Sequence, residues 1–187
     1  MYVNFIWFGI PYFYILWIGA FKLTLMKKIL FTRHAKSSWS DASLSDHDRP
    51  LNARGIKSAQ FLSKSMHDEF DKVQKVYVSS AKRAQETALE LKLDKSKMST
   101  HKELYTFSCS ELEHFIFSIQ SDVHYIQLIG HNPAFTDFVN NHSNIRIDNV
   151  PTCGMVILQW DDAQVWSDVQ CEQARLLLFD VPKRLMG

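Results

Sequence analysis

Short apolar runs alternate with amphipathic stretches along most of this chain, and this alternation constrains the fold more than any other feature. The apolar runs predict β-strands at residues 29–32, 75–79, 125–129, 155–160 and 176–179. The stretches between them have helical spacing and predict helices at residues 52–69, 81–91, 110–119 and 133–141. Strands that alternate with helices predict an α/β fold with three layers, in which helices cover both faces of a mostly parallel central sheet.

The first 25 residues differ from the rest, because residues 2–21 contain no charged side chain and are rich in aromatic residues and isoleucine. Twenty helical residues would span about 30 Å, the thickness of a bilayer core. Lysines follow at once, so a membrane anchor would leave the remainder in the cytoplasm. Alternatively, translation starts at Met26 and the leader is not part of the protein, or the leader packs on the domain. Each alternative predicts a cytoplasmic domain at residues 26–187, tethered to a membrane only if the leader is a real anchor.

Composition excludes several classes of function. The formal net charge is only +1, which gives no overall field that would attract nucleic acid or an anionic membrane. The three cysteines are widely spaced, which argues against a disulfide framework and against a zinc site. Asp46, His47 and Asp48 are read as a solvated loop rather than as metal ligands. We therefore expect neither a metal nor a cofactor, and we expect a small monomer with one active site.

Three basic motifs follow predicted strands at the point where each strand ends. Arg33 and His34 follow the first strand, Arg83 lies in the helix after the second, and His131 follows the third. Ligands of parallel α/β sheets bind beyond the carboxyl ends of the strands. The shared position of these three motifs therefore predicts one common site.

The residue types at this site fit phosphoryl transfer. The transferred group carries negative charge on three equatorial oxygens, which Arg33 and Arg83 can bind with their planar forks. His131, if protonated beside a phosphate, adds another donor. His34 is the predicted nucleophile, since a neutral imidazole attacks phosphorus well at neutral pH. Its other ring nitrogen needs an acceptor that fixes the tautomer, and we expect a backbone carbonyl.

These motifs resemble those of the histidine phosphatase (RHG-motif) superfamily. The resemblance rests on Thr-Arg33-His34-Ala35, on Arg83 within Ser-Ala-Lys-Arg-Ala-Gln-Glu-Thr, and on Gly-His131-Asn-Pro. The stretch Arg-His-Ala-Lys-Ser-Ser-Trp and the later Asp-Arg49-Pro-Leu are most similar to the SixA branch, the phosphohistidine phosphatases. The resemblance implies a phosphoglycerate mutase-like fold, no metal, His34 as the phosphorylated nucleophile, and a phosphate pocket of Arg33, Arg83 and His131.

Other assignments follow less directly from the resemblance. Glu103 is the predicted general acid, with Asp41, Asp46 and Glu111 as weaker alternatives, and an exposed structural role for Glu103 stays open. Arg49 is either an additional phosphate contact or a salt bridge that anchors its loop. Ala35 replaces the glycine of the RHG motif, so we expect a backbone conformation there that tolerates a Cβ.

The expected substrate is a phosphorylated protein, most specifically phosphohistidine, since few residues between 93 and 127 are left to close over the site. A labile P–N bond also demands less of an enzyme acid. Two alternatives remain open. One is a phosphatase or mutase of a small phosphorylated metabolite, and the other is a binding module that recognises phosphorylated partners without turnover.

Overall fold

A computed structural model describes residues 26–182, so the apolar leader at residues 1–25 lies outside the described residues. The described strands are β1 (Lys27–Arg33), β2 (Lys75–Ser79), β3 (Met98–His101), β4 (Tyr125–Gly130), β5 (Met155–Trp160) and β6 (Arg175–Asp180). The α-helices are α1 (Ala53–Ser65), α2 (His67–Lys72), α3 (Lys82–Glu90), α4 (Cys109–Phe117) and α5 (Ala134–His142). Short 3-10 helices lie at Lys95–Lys97 and Trp166–Gln170.

The strands form a single sheet in the order β3-β2-β4-β1-β5-β6. β3, β2, β4 and β1 are parallel, whereas β5 runs antiparallel to both β1 and β6. β4 and β5 are buried along their whole length. The predicted α/β fold with a mostly parallel sheet is therefore confirmed, with the mixed pairing confined to the β5 and β6 side.

Helices cover both faces of the sheet and give two separate apolar cores. On one face Phe31 of β1 packs in a cluster with side chains of α4 and α5, including Ile116 and Phe138. On the other face the preceding residue of β1, Leu30, packs with Leu62 of α1 and side chains of α3. Successive side chains of a strand point to opposite faces, so one buried strand contributes to both cores. This confirms the three-layer arrangement.

Two local features differ from the sequence prediction. β3 was not predicted, because Met-Ser-Thr-His is a short edge strand that is partly exposed and has no apolar alternation. The helix predicted at residues 52–69 is instead two helices, α1 and α2, separated at Met66. Asn52 caps α1, since its Oδ1 accepts a hydrogen bond of 2.9 Å from the Gly55 amide.

Every helix within residues 26–182 is too short or too polar to cross a bilayer.

Candidate active site

The sheet order brings the three predicted motifs together. β2, β4 and β1 are parallel neighbours, so their carboxyl ends lie at the same edge of the sheet. His34 follows β1, His131 follows β4, and Arg83 lies in the first turn of α3, just beyond β2. The rings of His34 and His131 are 5.0 Å apart between centroids. The predicted convergence of these side chains is therefore confirmed.

The hydrogen bonds of His34 determine its tautomer. Nδ1 lies 2.8 Å from the carbonyl oxygen of Ala35, which can only accept a hydrogen bond, so Nδ1 carries the proton. Nε2 lies 3.2 Å from Nε of Arg83, whose N–H can only donate. The lone pair of Nε2 is therefore exposed to the cationic side of the site. The expected backbone carbonyl acceptor is confirmed, and it belongs to Ala35.

Arg83 connects both histidines. Its Nη2 lies 3.4 Å from Nδ1 of His131, which must therefore accept, so the proton of that ring is on Nε2. His131 Nε2 then donates to Oγ of Ser79, 2.8 Å away at the end of β2. Both rings are neutral in this arrangement.

Burial is the main reason why both histidines stay neutral. The pKa of His34 is lowered to about 4, mostly by burial and further by the charges of Arg83 and Arg33, while the hydrogen bond that the ring donates to the Ala35 carbonyl opposes this change. Burial also lowers the pKa of His131 to about 2, and His34 and Arg83 act in the same direction. A dianionic phosphate would offset these positive charges, which is the condition under which His131 gains a proton.

Arg33 is held by the loop before β5. Its Nη1 donates to the carbonyl oxygen of Val150 at 2.7 Å and to Oδ1 of Asn149 at 3.1 Å. Its Nε is buried without a hydrogen-bond partner among the described residues. Burial and the neighbouring charge of Arg83 lower the pKa of Arg33. Two guanidinium groups close enough to repel each other indicate a site that an anion would stabilise.

Arg33, His34 and Arg83 share an open cavity of about 540 Å³, while His131 contacts His34 and Arg83 without being one of the residues that line it. It is lined by Arg33, His34, Lys36, Ser37, Trp39, Asp46, Arg49, Arg83, Tyr105, Phe107, Asn132 and Thr152. Trp39 is 78% exposed and Phe107 is 47% exposed, so two aromatic side chains stand at its rim. Phe107 and Tyr105 come from the segment between β3 and α4.

Asp46 is the carboxylate in this cavity. Its Oδ2 accepts hydrogen bonds of 2.8 Å from Nη2 of Arg83 and from the hydroxyl of Tyr105, and its Oδ1 pairs with Nη1 of Arg49 at 2.8 Å. Arg83 Nη1 also donates to the backbone oxygen of Asp46. Burial alone would raise the pKa of Asp46, but the bonds from Tyr105 and Arg83 outweigh it and hold that pKa below its ordinary value. Asp46 is therefore ionised.

Arg49 has the loop-anchoring salt bridge that was one of the two sequence expectations, while its contact with a phosphate stays a prediction. It is buried, and besides the pair with Asp46 it donates to Oγ of Ser37 at 2.8 Å and to the carbonyl oxygen of Ser38 at 3.0 Å. Its guanidinium stacks 3.2 Å from the ring centroid of Trp39. It thus anchors its loop while lining the cavity.

Glu103 is not brought to His34. It lines a different cavity together with Glu111, His101 and side chains of α4. Asp41 bonds to Ser43 in an exposed turn and does not line the His34 cavity. Of the four carboxylates considered from the sequence, only Asp46 lies in the site. The assignment of Glu103 as general acid therefore has no geometric support.

The acidic loop is held by protein contacts. Besides the contacts of Asp46, Nε2 of His47 lies 3.0 Å from Oγ of Ser80, and Asp48 accepts from Oγ of Ser45 at 2.7 Å. Within the described part of the chain, no group of three or more His, Cys, Asp or Glu side chains is arranged to hold a metal ion.

Sequence reasoning missed the residues that position this site. Thr87 Oγ1 accepts a hydrogen bond of 2.9 Å from the Ala35 amide and donates one of 2.6 Å to the Arg83 carbonyl, so it ties β1 to α3. Ser79 orients His131, and Tyr105 orients Asp46. Ser79 is the last residue of β2, and a polar residue at the carboxyl end of a buried strand is a signal that could have found it. Ala35 does not have a positive φ, which confirms that its backbone tolerates a Cβ.

Comparison with known proteins identifies the family of this chain. The model of the histidine phosphatase superfamily (branch 1) matches residues 29–124, just over half of the chain. An uncharacterised protein of Mycobacterium tuberculosis, Rv1276c, is 29% identical over 161 residues, and the match covers 81% of this chain and 99% of that relative.

Solved structures show the same fold. A protein assigned as the phosphohistidine phosphatase SixA from Nakamurella multipartitia matches with a TM-score of 0.72 and 19% identity, covering 84% of this chain and 96% of that one. The protein histidine phosphatase SixA complexed with tungstate matches with a TM-score of 0.70 and 18% identity, covering 84% and 99%. A mycobacterial glucosyl-3-phosphoglycerate phosphatase, Rv2419c, matches with a TM-score of 0.58 and 11% identity, covering 83% and 99%. The fold is therefore the phosphoglycerate mutase-like α/β fold of these proteins.

Proposed function

The chain belongs to the histidine phosphatase superfamily, and from this premise we propose that it hydrolyses phosphorylated substrates through a phosphohistidine on Nε2 of His34. The observation that carries the proposal is the tautomer of His34. Its Nδ1 proton is held by the Ala35 carbonyl, and the Nε2 lone pair faces Arg83. A nucleophilic imidazole needs a free lone pair on the attacking nitrogen.

In the first step Nε2 of His34 attacks the phosphorus atom and forms a P–N bond while the bond to the leaving group breaks. The imidazole then carries positive charge, which the carbonyl oxygen of Ala35 stabilises through the Nδ1 proton. Arg83 must withdraw its Nε–H from Nε2 before attack. Its donors then become available to the phosphoryl oxygens.

The cations neutralise the phosphoryl group. Arg33 and Arg83 both line the cavity, and their N–H groups bind the equatorial oxygens. His131 takes up a proton as the dianion arrives and donates through Nδ1, with Nε2 fixed by Ser79. Such preorganised donors are the largest contribution to catalysis of this kind of reaction.

In the second step water attacks the phosphorus atom, the P–N bond to His34 breaks, and the neutral imidazole returns. We assign Asp46 to accept the proton that the attacking water loses, since it is the ionised carboxylate in the cavity. Asp46 is an ionised carboxylate in the resting site, and it can therefore accept a proton. This suits a general base in the second step better than a general acid in the first.

We further propose that the substrate is phosphohistidine in a protein. The cavity is open and bordered by the exposed rings of Trp39 and Phe107, which can contact a protein surface around the phosphorylated residue. A phosphohistidine ring that is protonated on its other nitrogen leaves as neutral imidazole. Its departure therefore needs no enzyme acid, in agreement with the absence of Glu103 from the cavity. The resemblance to SixA proteins supports the same substrate class.

The test is to incubate the protein with a histidine-phosphorylated protein, quench it rapidly, and identify acid-labile phosphate on His34 by mass spectrometry. The chain should release phosphate and show the intermediate, and His34→Ala should show neither. A panel of small phosphorylated metabolites is assayed in parallel, because a fold neighbour acts on glucosyl-3-phosphoglycerate. Faster turnover of a metabolite than of phosphohistidine would refute the substrate assignment. Binding of phosphorylated compounds without any turnover would refute the proposal that the protein is a phosphatase.

A further inference from the structure

A second cavity of about 630 Å³ opens beside the His34 cavity. Lys36 and Thr152 line both cavities, so the two are continuous along the surface. The walls of this groove come from the start of α1 and from the chain on either side of β5 and β6, with Pro151 and Pro182 among the apolar residues. A ligand held at His34 can therefore extend directly into it.

The groove is positively charged although the whole chain is nearly neutral. Among the described residues that line it, Lys36, Arg54 and Lys57 are cationic and none is acidic. All three side chains are exposed, and the ion pairs and side-chain hydrogen bonds of residues 26–182 involve other cations. Unpaired cations around an apolar floor are complementary to an extended acidic ligand.

The backbone holds these cations together. Residue 55 is glycine, and a Cβ at that position would overlap the carbonyl oxygen of Lys36. The Asn52 amide also donates a hydrogen bond of 2.9 Å to the same oxygen. The start of α1, which carries Arg54 and Lys57, is thereby packed directly against the loop that carries Lys36. This close approach builds a continuous cationic surface next to the nucleophile.

We propose that this groove binds an acidic segment of the phosphoprotein substrate next to the phosphorylated residue. The inference rests on the proposed function and narrows its substrate class to phosphohistidine with acidic neighbours. Carboxylates of the segment pair with Lys36, Arg54 and Lys57 while the phosphoryl group lies against Arg33 and Arg83. The apolar floor accommodates the peptide backbone between them.

The test compares two short phosphohistidine peptides, one flanked by glutamates and the other by glutamines, at low ionic strength. The kcat/KM of wild type should be about tenfold higher for the acidic peptide than for the glutamine peptide. The difference should come from a lower KM, and added salt should remove it. Arg54→Gln combined with Lys57→Gln should lose the preference. Lys64→Gln, an exposed lysine at the other end of α1, should keep it.

A binding measurement separates the groove from the chemistry. A fluorescent glutamate-rich peptide without phosphate should bind wild type and Lys64→Gln equally, and should bind the Arg54 and Lys57 double variant about tenfold more weakly. Equal binding by all three proteins would refute the proposal that the groove binds an acidic segment, whether or not any peptide is hydrolysed. Failure of wild type to hydrolyse either peptide, with the binding difference intact, would instead refute the proposed phosphohistidine activity. If the double variant loses turnover of a small bisphosphorylated metabolite but hydrolyses both peptides like wild type, the acidic peptide is the wrong ligand.

Discussion

Nε of Arg83 lies 3.2 Å from Nε2 of His34, so a guanidinium N–H points at the ring nitrogen that we propose as the nucleophile. This bond holds the imidazole in the tautomer that can attack, and it brings the cation to the place where phosphoryl charge will be. The same guanidinium also contacts His131 and Asp46. Arg83 therefore contacts both histidines and the carboxylate of the site.

His34→Ala should abolish turnover while the protein stays folded, because the proposed covalent intermediate needs an imidazole at this position. Phosphate release and the circular dichroism spectrum check these two expectations. His67→Ala changes an exposed histidine of α2 and serves as the control, with activity close to wild type. Full activity of His34→Ala would overturn the mechanism.

Arg83→Ala should reduce kcat/KM by about 10²-fold or more, the loss typical of removing one preorganised charge donor. Arg83→Lys keeps a positive charge but lacks the planar fork that serves both histidines, so it should rescue only a small part of the loss. Steady-state kinetics compare both variants with Lys82→Ala, the exposed neighbour in the same helical turn. Near-complete rescue by lysine would show that charge alone is needed there.

Asp46→Asn should separate substrate binding from turnover. Loss of the carboxylate charge releases Arg83 and Arg49 from their ion pairs, so inorganic phosphate should inhibit about threefold to tenfold more strongly. The value of kcat should nevertheless fall, because the proposed proton acceptor for water is lost. Inhibition constants and burst kinetics, in which phosphoenzyme accumulates, measure the two effects. An unchanged kcat would assign Asp46 to loop anchoring only.

The sequence predicted the centre of the site better than its periphery. Arg33 is the last residue of β1, and His34 and His131 directly follow β1 and β4. Strand ends are determined by the same apolar periodicity that determines the sheet. Asp46 and Glu103 lie in loops without periodicity, and the path of such a loop depends on contacts that are distant in sequence. The Asp46 loop is drawn to the cavity by Arg83 and Tyr105, and Glu103 lines a different cavity. The local sequence pattern around Asp46 and Glu103 does not predict these contacts with residues that are distant in sequence.

The buried histidines should make the protein less stable in acid. Their pKa values in the folded protein, about 4 for His34 and about 2 for His131, lie below the value of about 6.5 for an unfolded histidine. The unfolded chain therefore binds protons more readily, so the full stability is present above about pH 6.5 and is lost as the pH falls from there toward the folded values.

From about pH 7.5 to about pH 5 this linkage should cost about 2 kcal/mol of unfolding free energy for each of the two histidines. Urea unfolding across this range measures the slope for wild type and for His34→Asn, in which one of the titrating groups is removed. The variant should have the shallower slope whatever its stability at neutral pH. Identical slopes would mean that His34 titrates alike in the folded and unfolded chains.

Thr87→Val should destabilise the protein by about 1–3 kcal/mol, because it leaves the buried amide of Ala35 without an acceptor while the shape of the side chain is kept. Thr87 also donates to the carbonyl of Arg83, so its loss loosens the attachment of α3 to the end of β1. Thr100→Val on the edge strand β3 makes the same chemical change at an exposed position where the hydroxyl faces water, and it should stay within about 0.5 kcal/mol of wild type. Denaturant unfolding gives both values.

If Thr87 also positions Arg83 against His34, then Thr87→Val should lower kcat at a temperature where it is fully folded, and Thr87→Ser, which keeps the hydroxyl, should restore it. A kcat equal to wild type in folded Thr87→Val would limit this residue to a structural role.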